Sequence, residues 1–198
     1  YWGAHHEVFD VGGTTRSALT RVQRGENPLF SGDFEEESNG NGSLMRIAPA
    51  AIYFAGEHDT ALLEKMTELS GITHRHFRSV FSCFIFSKFI ANIISVRNKE
   101  EAFFNLQKQI QGFVKAKNFY QPELDNFSRV IHGSLSALDE SEISSSGYVL
   151  HTLEASIWCF LNTSSYEESV LRAVNLGGDT DTKACVTGAL AGLYYGVD

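Results

Sequence analysis

The stretch NLGGDTDTKACVTGALAGLYYG, residues 175–196, organises the reading of this chain. Gly177 and Gly178 permit a tight turn. Asp179, Thr180, Asp181 and Thr182 then supply four side-chain oxygens in succession. A small-residue helix is predicted from Lys183 to about Tyr195, carried by Ala184, Val186, Ala189, Leu190 and Leu193. The oxygen cluster therefore falls at a helix N-terminus, where unpaired backbone N–H groups and the positive end of the helix dipole gather. Helix capping accounts for one acid at such a place. Two acids two residues apart, with Thr182 beside the second, repel each other unless a cation lies between them. Carboxylate and hydroxyl oxygens suit a hard ion such as Mg²⁺ or Mn²⁺. Three protein oxygens are few for an octahedral ion, so this cluster is part of a site, not the whole of one.

Working outward, the chain reads as helix after helix. His58 to Leu69 carries Leu62, Leu63, Met66 and Leu69 at helical spacing. His74 to Val96 is longer, with Phe77, Val80, Phe81, Phe84, Ile85, Phe89 and Ile93. It is long and apolar enough to raise a membrane span, but Lys88 and Asn92 in its middle favour a buried core helix. Lys99 to Lys115 repeats the pattern, and Pro122 opens another helix reaching to Leu138. Val149 to about Leu161 follows a polar turn at Ser144–Tyr148, and Ser165-Tyr-Glu-Glu168 has the form of a capping box. Sustained apolar–polar alternation is lacking, so the fold class is all-α, a multi-helix orthogonal bundle in a single domain.

Composition bounds the function. The 198 residues carry a net charge of −8, which argues against a nucleic-acid partner held by bulk electrostatics. No membrane partner is expected. Cys83, Cys159 and Cys185 are widely spaced and lie in apolar helical contexts; they read as reduced core thiols of a cytoplasmic protein. The opening Tyr1-Trp2-Gly3, without Met, reads as a piece cut from something longer or a processed product.

Near the start, His5-His6 is a weak candidate for metal, since adjacent residues do not share a helix face. Asp10 precedes Val-Gly-Gly-Thr-Thr, with Thr14 or Thr15 as the expected N-cap of a helix carrying Ala18, Leu19 and Val22. Glu35-Glu36-Glu37 is expected to be solvated. In Asn39-Gly-Asn-Gly-Ser-Leu-Met-Arg46, Gly40 and Gly42 can bring backbone N–H groups to a ligand, while Ser43 and Arg46 can bond phosphate. The competing reading is a plain turn before a helix with Pro49 in its first turn. Tyr148, at a helix mouth, can stack on a flat ring or simply pack with its hydroxyl at the surface. His74, opening the longest helix, can face a pocket; His132 and His151 read as mid-helix residues.

Taken together, Asn39–Pro49, Ser146–Ala155 and Asn175–Thr182 with Thr187–Gly196 resemble the ADP-ribosylglycohydrolase family, on the side of the enzymes that free arginine of dinitrogenase reductase from ADP-ribose. Asp10-Val-Gly-Gly-Thr-Thr-Arg16 and Thr73-His74 also fit. The resemblance implies a compact all-α fold with two Mg²⁺ or Mn²⁺ ions in a cleft, acting on an ADP-ribosylated protein. By resemblance, Asp179, Asp181 and Thr182 are metal ligands, and Asp10 and Asp181 are catalytic. Gly42, Ser43, Leu44 and Met45 line the phosphates and ribose. Gly147 and Tyr148 face the diphosphate or adenine side, and His74 the ribose beside the scissile bond.

The family's other metal ligands lie in an N-terminal segment with a Gly-Asp motif and a Thr-Asp-Asp motif, and nothing in this sequence matches them. The chain is therefore expected to supply half the metal site and to be weakly active or inactive alone. A binding module that holds ADP-ribose or a nucleotide without cleaving it is the alternative. The linkage cleaved, the choice of Mg²⁺ or Mn²⁺ and the oligomeric state are not encoded in these motifs.

Overall fold

A long phenylalanine-rich helix sits at the centre of the molecule because no side of it is polar enough to face water. In the computed structural model, which describes residues 11–196, this is α4, and ten α-helices with short 3₁₀ turns make up the described residues. They are α1 (Gly13–Gln23), α2 (Ala48–Tyr53), α3 (Asp59–Gly71), α4 (Phe77–Ser95), α5 (Lys99–Ala116), α6 (Gln121–Asp125), α7 (Ser128–His132), α8 (Val149–Leu161), α9 (Tyr166–Asn175) and α10 (Thr180–Tyr195). No strand occurs among the described residues, only isolated bridges between Asp33 and His74 and between Gly40 and Tyr148.

Helix α4 packs against α2, α3, α5, α8 and α10. Its Phe81 is fully buried and stacks on Phe77 at 5.0 Å between centroids, with Phe127 edge-on at 5.0 Å. Truncating such a ring to Ala leaves a cavity that costs about 3–5 kcal/mol. The two polar residues that argued against a membrane span are both satisfied inside the fold. Lys88 pairs with Asp59 at 2.7 Å, and Asn92 bonds the Ala102 carbonyl and Gln109. Among the described helices α4 alone is long and apolar enough to cross a membrane, and 72% of that span is buried.

Helix α8 is the second central rod, buried from Val149 to Leu161 apart from half-buried His151. Helix α5 is amphipathic: Ala102, Phe103, Leu106, Ile110 and Phe113 are buried, and Asn98 caps its N-terminus through the Glu101 N–H. Helices α9 and α10 form a hairpin whose tight turn is the acidic stretch.

Several sequence expectations need correction. The helix expected from Pro122 to Leu138 is broken into α6, α7 and a 3₁₀ turn at Leu135–Ala137. The Asn126 side chain bonds the Pro122 and Glu123 carbonyls, and a Cβ at Gly133 would run into the Arg129 carbonyl, so the backbone turns where the apolar spacing alone continues. The longest helix begins at Phe77, not His74, because His76 caps it by accepting from Arg78 N. Ser165 accepts from Glu168 N, but Glu168 in return accepts from Ser164 N, one residue before the position a capping box requires. Helix α1 starts at Gly13 with no side-chain cap, so neither Thr14 nor Thr15 serves as one. Cys83 and Cys159 are buried, whereas Cys185 is exposed.

Candidate functional site

The turn between α9 and α10 is built by glycine. Gly177 and Gly178 hold φ angles of 72° and 61°, where a side chain is strained, and a Cβ on Gly178 would run into the Ser145 carbonyl. The Asp179 N–H donates to that same carbonyl at 3.0 Å. Asp179 occupies the N-cap position of α10, yet its side chain makes no capping bond. Its Oδ2 instead accepts from Asn41 Nδ2 at 2.6 Å. Burial pushes the Asp179 carboxyl up, but hydrogen bonds from the Asn41 amide and the Thr182 hydroxyl outweigh it and hold the group below the usual aspartate range.

Asn41 is the hub. Its Nδ2 also donates to Thr152 Oγ1 on α8 at 2.8 Å, and its own N–H donates to the Gly147 carbonyl at 3.0 Å. Val149 N donates to the Asn39 carbonyl at 2.9 Å, which completes the small bridge between the two loops. Three stretches far apart in sequence are thus tied at one point: Asn39–Gly42, Gly147–Val149 and the acidic turn.

The cavity they enclose measures about 460 Å³. Its floor is Gly40, Asn41, Gly42, Met45 and His74; one wall is Asp179, Asp181 and Thr182 with Gly147; the other is Gly12 to Thr15 at the start of α1 with Glu37. Three carboxylates line it, and no Lys or Arg does among the described residues.

His74 is buried beneath the two floor glycines. A Cβ on Gly42 would lie 2.8 Å from His74 Cε1, and one on Gly40 would lie 3.4 Å from Nε2, so the backbone rests on the ring. Thr73 Oγ1 holds Nδ1 at 2.7 Å, and the His74 carbonyl accepts from Ser70 Oγ at 2.7 Å. Burial, helped by the Arg46 charge and opposed by Asp33, pushes the imidazole down to about 4. At neutral pH the ring is therefore uncharged, and offers one donor and one acceptor nitrogen.

The sequence candidates are not all brought together. Gly42, Met45, His74, Gly147, Asp179, Asp181 and Thr182 line the cavity. Ser43 and Leu44 do not; both are buried, and Ser43 Oγ accepts from Cys83 Sγ. Arg46 is taken up by backbone, donating to the Gly42 carbonyl at 2.6 Å and the Leu69 carbonyl at 3.1 Å. Tyr148 lies beside the cavity with its hydroxyl accepting from Arg78 at 3.3 Å and its ring edge-on to His151. His151 Nδ1 pairs with Ser146 Oγ at 2.7 Å. Asp10, His5 and His6 lie outside the described residues.

The sequence reading gave no role to Glu37 or Asn41, and of the stretch Asp10–Arg16 it singled out only Asp10 as a site residue, whereas Gly12 to Thr15 line the cavity. The Glu run is exposed throughout, as expected, yet Glu36 pairs with Arg78 at 2.9 Å and Glu37 lines the cavity. The usable signal was Asn41 itself, a polar residue between two glycines, since glycines on both sides let a short amide reach deep.

The donor set suits a hard divalent ion. Asp179, Asp181 and Thr182 share one wall and offer only oxygen, and Mg²⁺ commonly keeps waters and takes one or two carboxylates plus substrate phosphates. No group of three or more His, Cys, Asp or Glu stands close enough to form a full protein cage among the described residues.

Comparison with known proteins bears on this cavity. Residues 1–198 match the family described as ADP-ribosylglycohydrolase. The chain is 31% identical over 202 residues to ADP-ribosylarginine hydrolase Tri1 of Pseudomonas putida (strain GB-1), covering 99% of this chain and 50% of that protein. It is 27% identical over 189 residues to ADP-ribosyl-[dinitrogen reductase] glycohydrolase of Rhodospirillum rubrum, covering 96% and 56%. A solved structure of an ADP-ribosylglycohydrolase-related protein complex matches with a TM-score of 0.73 at 30% identity, covering 93% of this chain and 59% of that one. The chain spans about half the length of the curated relatives it matches.

Proposed function

This chain belongs to the ADP-ribosylglycohydrolase family, and we propose that it forms the ADP-ribose-binding part of a metal-dependent hydrolase acting on ADP-ribosyl-arginine of a modified protein. One observation carries the reading. Asp179, Asp181 and Thr182 meet Gly40–Gly42, Met45, His74 and Gly147 around one cavity, although 139 positions separate Gly40 from Asp179. Its volume falls in the range of small-molecule sites. Relatives bearing the names ADP-ribosylarginine hydrolase and ADP-ribosyl-[dinitrogen reductase] glycohydrolase support the substrate class.

Each residue has a chemical task. Gly42 lets the loop lie flat on the His74 ring, since a Cβ there would meet Cε1, and the two glycines leave the floor lined by backbone. Neutral His74 hydrogen-bonds a ribose hydroxyl through the ring nitrogen that Thr73 leaves free, and Thr73 fixes the ring's orientation. Asn41 keeps Asp179 ionised and aimed into the cavity. Asp179, Asp181 and Thr182 would hold Mg²⁺ or Mn²⁺, which when bound neutralises the diphosphate and polarises the ribose oxygens. Asp181, exposed on the same wall, orients water near the anomeric carbon. The acidic lining suits a cationic guanidinium leaving group.

Calorimetry of ADP-ribose binding to this chain, with and without Mn²⁺ and beside Asp181→Asn, tests the reading. Binding that Mn²⁺ strengthens, and that Asp181→Asn no longer lets Mn²⁺ strengthen, is the expected result. Tight metal-independent binding would favour the binding-module alternative. A folded chain that binds no ADP-ribose would sink the assignment.

A further inference from the structure

Lys183 is an expensive residue where it stands. It is fully buried, at 0% exposure, and it lies in the first turn of α10, directly after Thr182. Burial strips water from an ammonium, and the N-terminal end of a helix repels a cation. It forms no ion pair among the described residues. An apolar side chain of similar length would fill the same space without these costs. What the ammonium adds is hydrogen-bond donors.

Those donors have specific targets. Lys183 Nζ donates to the Gly177 carbonyl, in the turn that carries Asp179, and to the Ser145 carbonyl at 3.4 Å, in the loop that carries Gly147. The Ser145 carbonyl is the same one that accepts from Asp179 N. The two segments are pressed together there: a Cβ on Gly147 would lie 3.3 Å from Asp179 Oδ2. One buried ammonium therefore joins the two stretches that form one wall of the cavity.

We propose that Lys183 is a positioning residue that clamps the Gly177–Thr182 turn to the Ser144–Tyr148 loop, and so sets how the Asp179–Asp181–Thr182 oxygens stand against Gly147. The consequence for ligand binding rests on the ADP-ribose reading above; the clamp itself does not. Without the ammonium the Gly177 carbonyl loses its donor and the Ser145 carbonyl keeps only the Asp179 N–H, so the turn and the loop loosen against each other.

Hydrogen–deuterium exchange on the whole chain, comparing wild type, Lys183→Met and Lys183→Arg, tests the clamp; ADP-ribose calorimetry with and without Mn²⁺ accompanies it. Lys183→Met keeps the apolar stem and removes the donors. It should speed exchange about tenfold in residues 175–182 and 143–148 while α4 keeps its protection, and weaken ADP-ribose binding about tenfold. Lys183→Arg, which still donates to carbonyls, should restore most of both. Wild-type exchange in Lys183→Met overturns the proposal. So does loss of protection spread evenly into α4, which would make Lys183 an ordinary core residue. So does Lys183→Arg behaving as Lys183→Met does. A wild-type chain that fails to bind ADP-ribose would defeat the functional reading, and the exchange pattern would still decide the clamp.

Discussion

Asn41 and Asp179, 138 positions apart, are joined by a hydrogen bond of 2.6 Å from Nδ2 to Oδ2. The bond makes a carboxylate at a helix N-terminus serve a loop instead of capping its own helix. Asn41 is buried, and its side-chain Nδ2 and backbone N–H are both engaged, so it fixes the acidic turn against the glycine-rich loop with little freedom left to lose on ligand binding.

Asn41→Ala should lower stability by about 1–3 kcal/mol, because Asp179 and Thr152 both lose their donor in a part-buried setting. The loss should depend on pH. Asn41 helps hold the Asp179 carboxyl below its ordinary value, and a depressed carboxyl stabilises the fold above its unfolded-state pKa. The gap between wild type and Asn41→Ala should therefore be full at pH 7 and shrink as pH falls below the usual aspartate range. Denaturant unfolding at stepped pH reads it out.

His74 should make the fold acid-sensitive in a higher window. Its folded-state pKa is pushed down to about 4 from 6.5, so the unfolded chain binds a proton that the folded chain refuses. Stability is intact above pH 6.5 and falls as pH drops from there to about 4, by roughly 3 kcal/mol in all. His74→Gln removes this slope. The difference in Tm between wild type and His74→Gln should narrow on acidification from pH 7 to pH 4.5, and a constant difference would refute the assignment.

Gly178→Ala should be among the costlier glycine substitutions. The residue holds a φ of 61°, and the added Cβ meets the backbone carbonyl of Ser145, which cannot swing aside as a side chain would. A cost of about 1–3 kcal/mol is expected, with ADP-ribose affinity falling as the acidic turn shifts. Gly12→Ala, with open space around it, should change stability far less. Thermal unfolding of the pair separates local strain from a general intolerance of side chains.

Arg78 holds the outer side of the site. Its guanidinium engages Glu123 with two nitrogens at 2.8 and 3.0 Å, Glu36 at 2.9 Å and the Tyr148 hydroxyl at 3.3 Å. Arg78→Ala should cost about 1.5–3 kcal/mol, and Arg78→Lys should recover only part, since an ammonium cannot reproduce the two-pronged contact. Chemical denaturation of both variants gives the ordering.

The apolar spacing of Phe77, Phe81, Phe84 and Phe89 was enough to predict a buried core helix, because burial follows locally from side-chain type and helical period, whereas Val149–Leu161 was legible as a helix and the structure buries it on nearly every side. Asp179, Asp181 and Thr182 were legible as one cluster for the same reason: they are neighbours in sequence, and α10 carries them on adjacent positions. Breaks were harder to see. The Pro122–Leu138 stretch keeps its apolar period through the turn between α6 and α7, and only backbone geometry ends each helix.

The sequence by itself determined the all-α class, the central helices and the acidic turn at the head of α10. Only the tertiary structure decided what that turn faces. It set Asn41 on Asp179, turned Ser43 and Leu44 into the core, engaged Arg46 with backbone carbonyls, and brought Glu37 and the start of α1 to the cavity. The physical reason is that periodicity records which residues leave water, whereas a site is made where distant segments meet, and those meetings are fixed by hydrogen bonds such as Asn41–Asp179 and Lys183–Ser145 that no local pattern encodes.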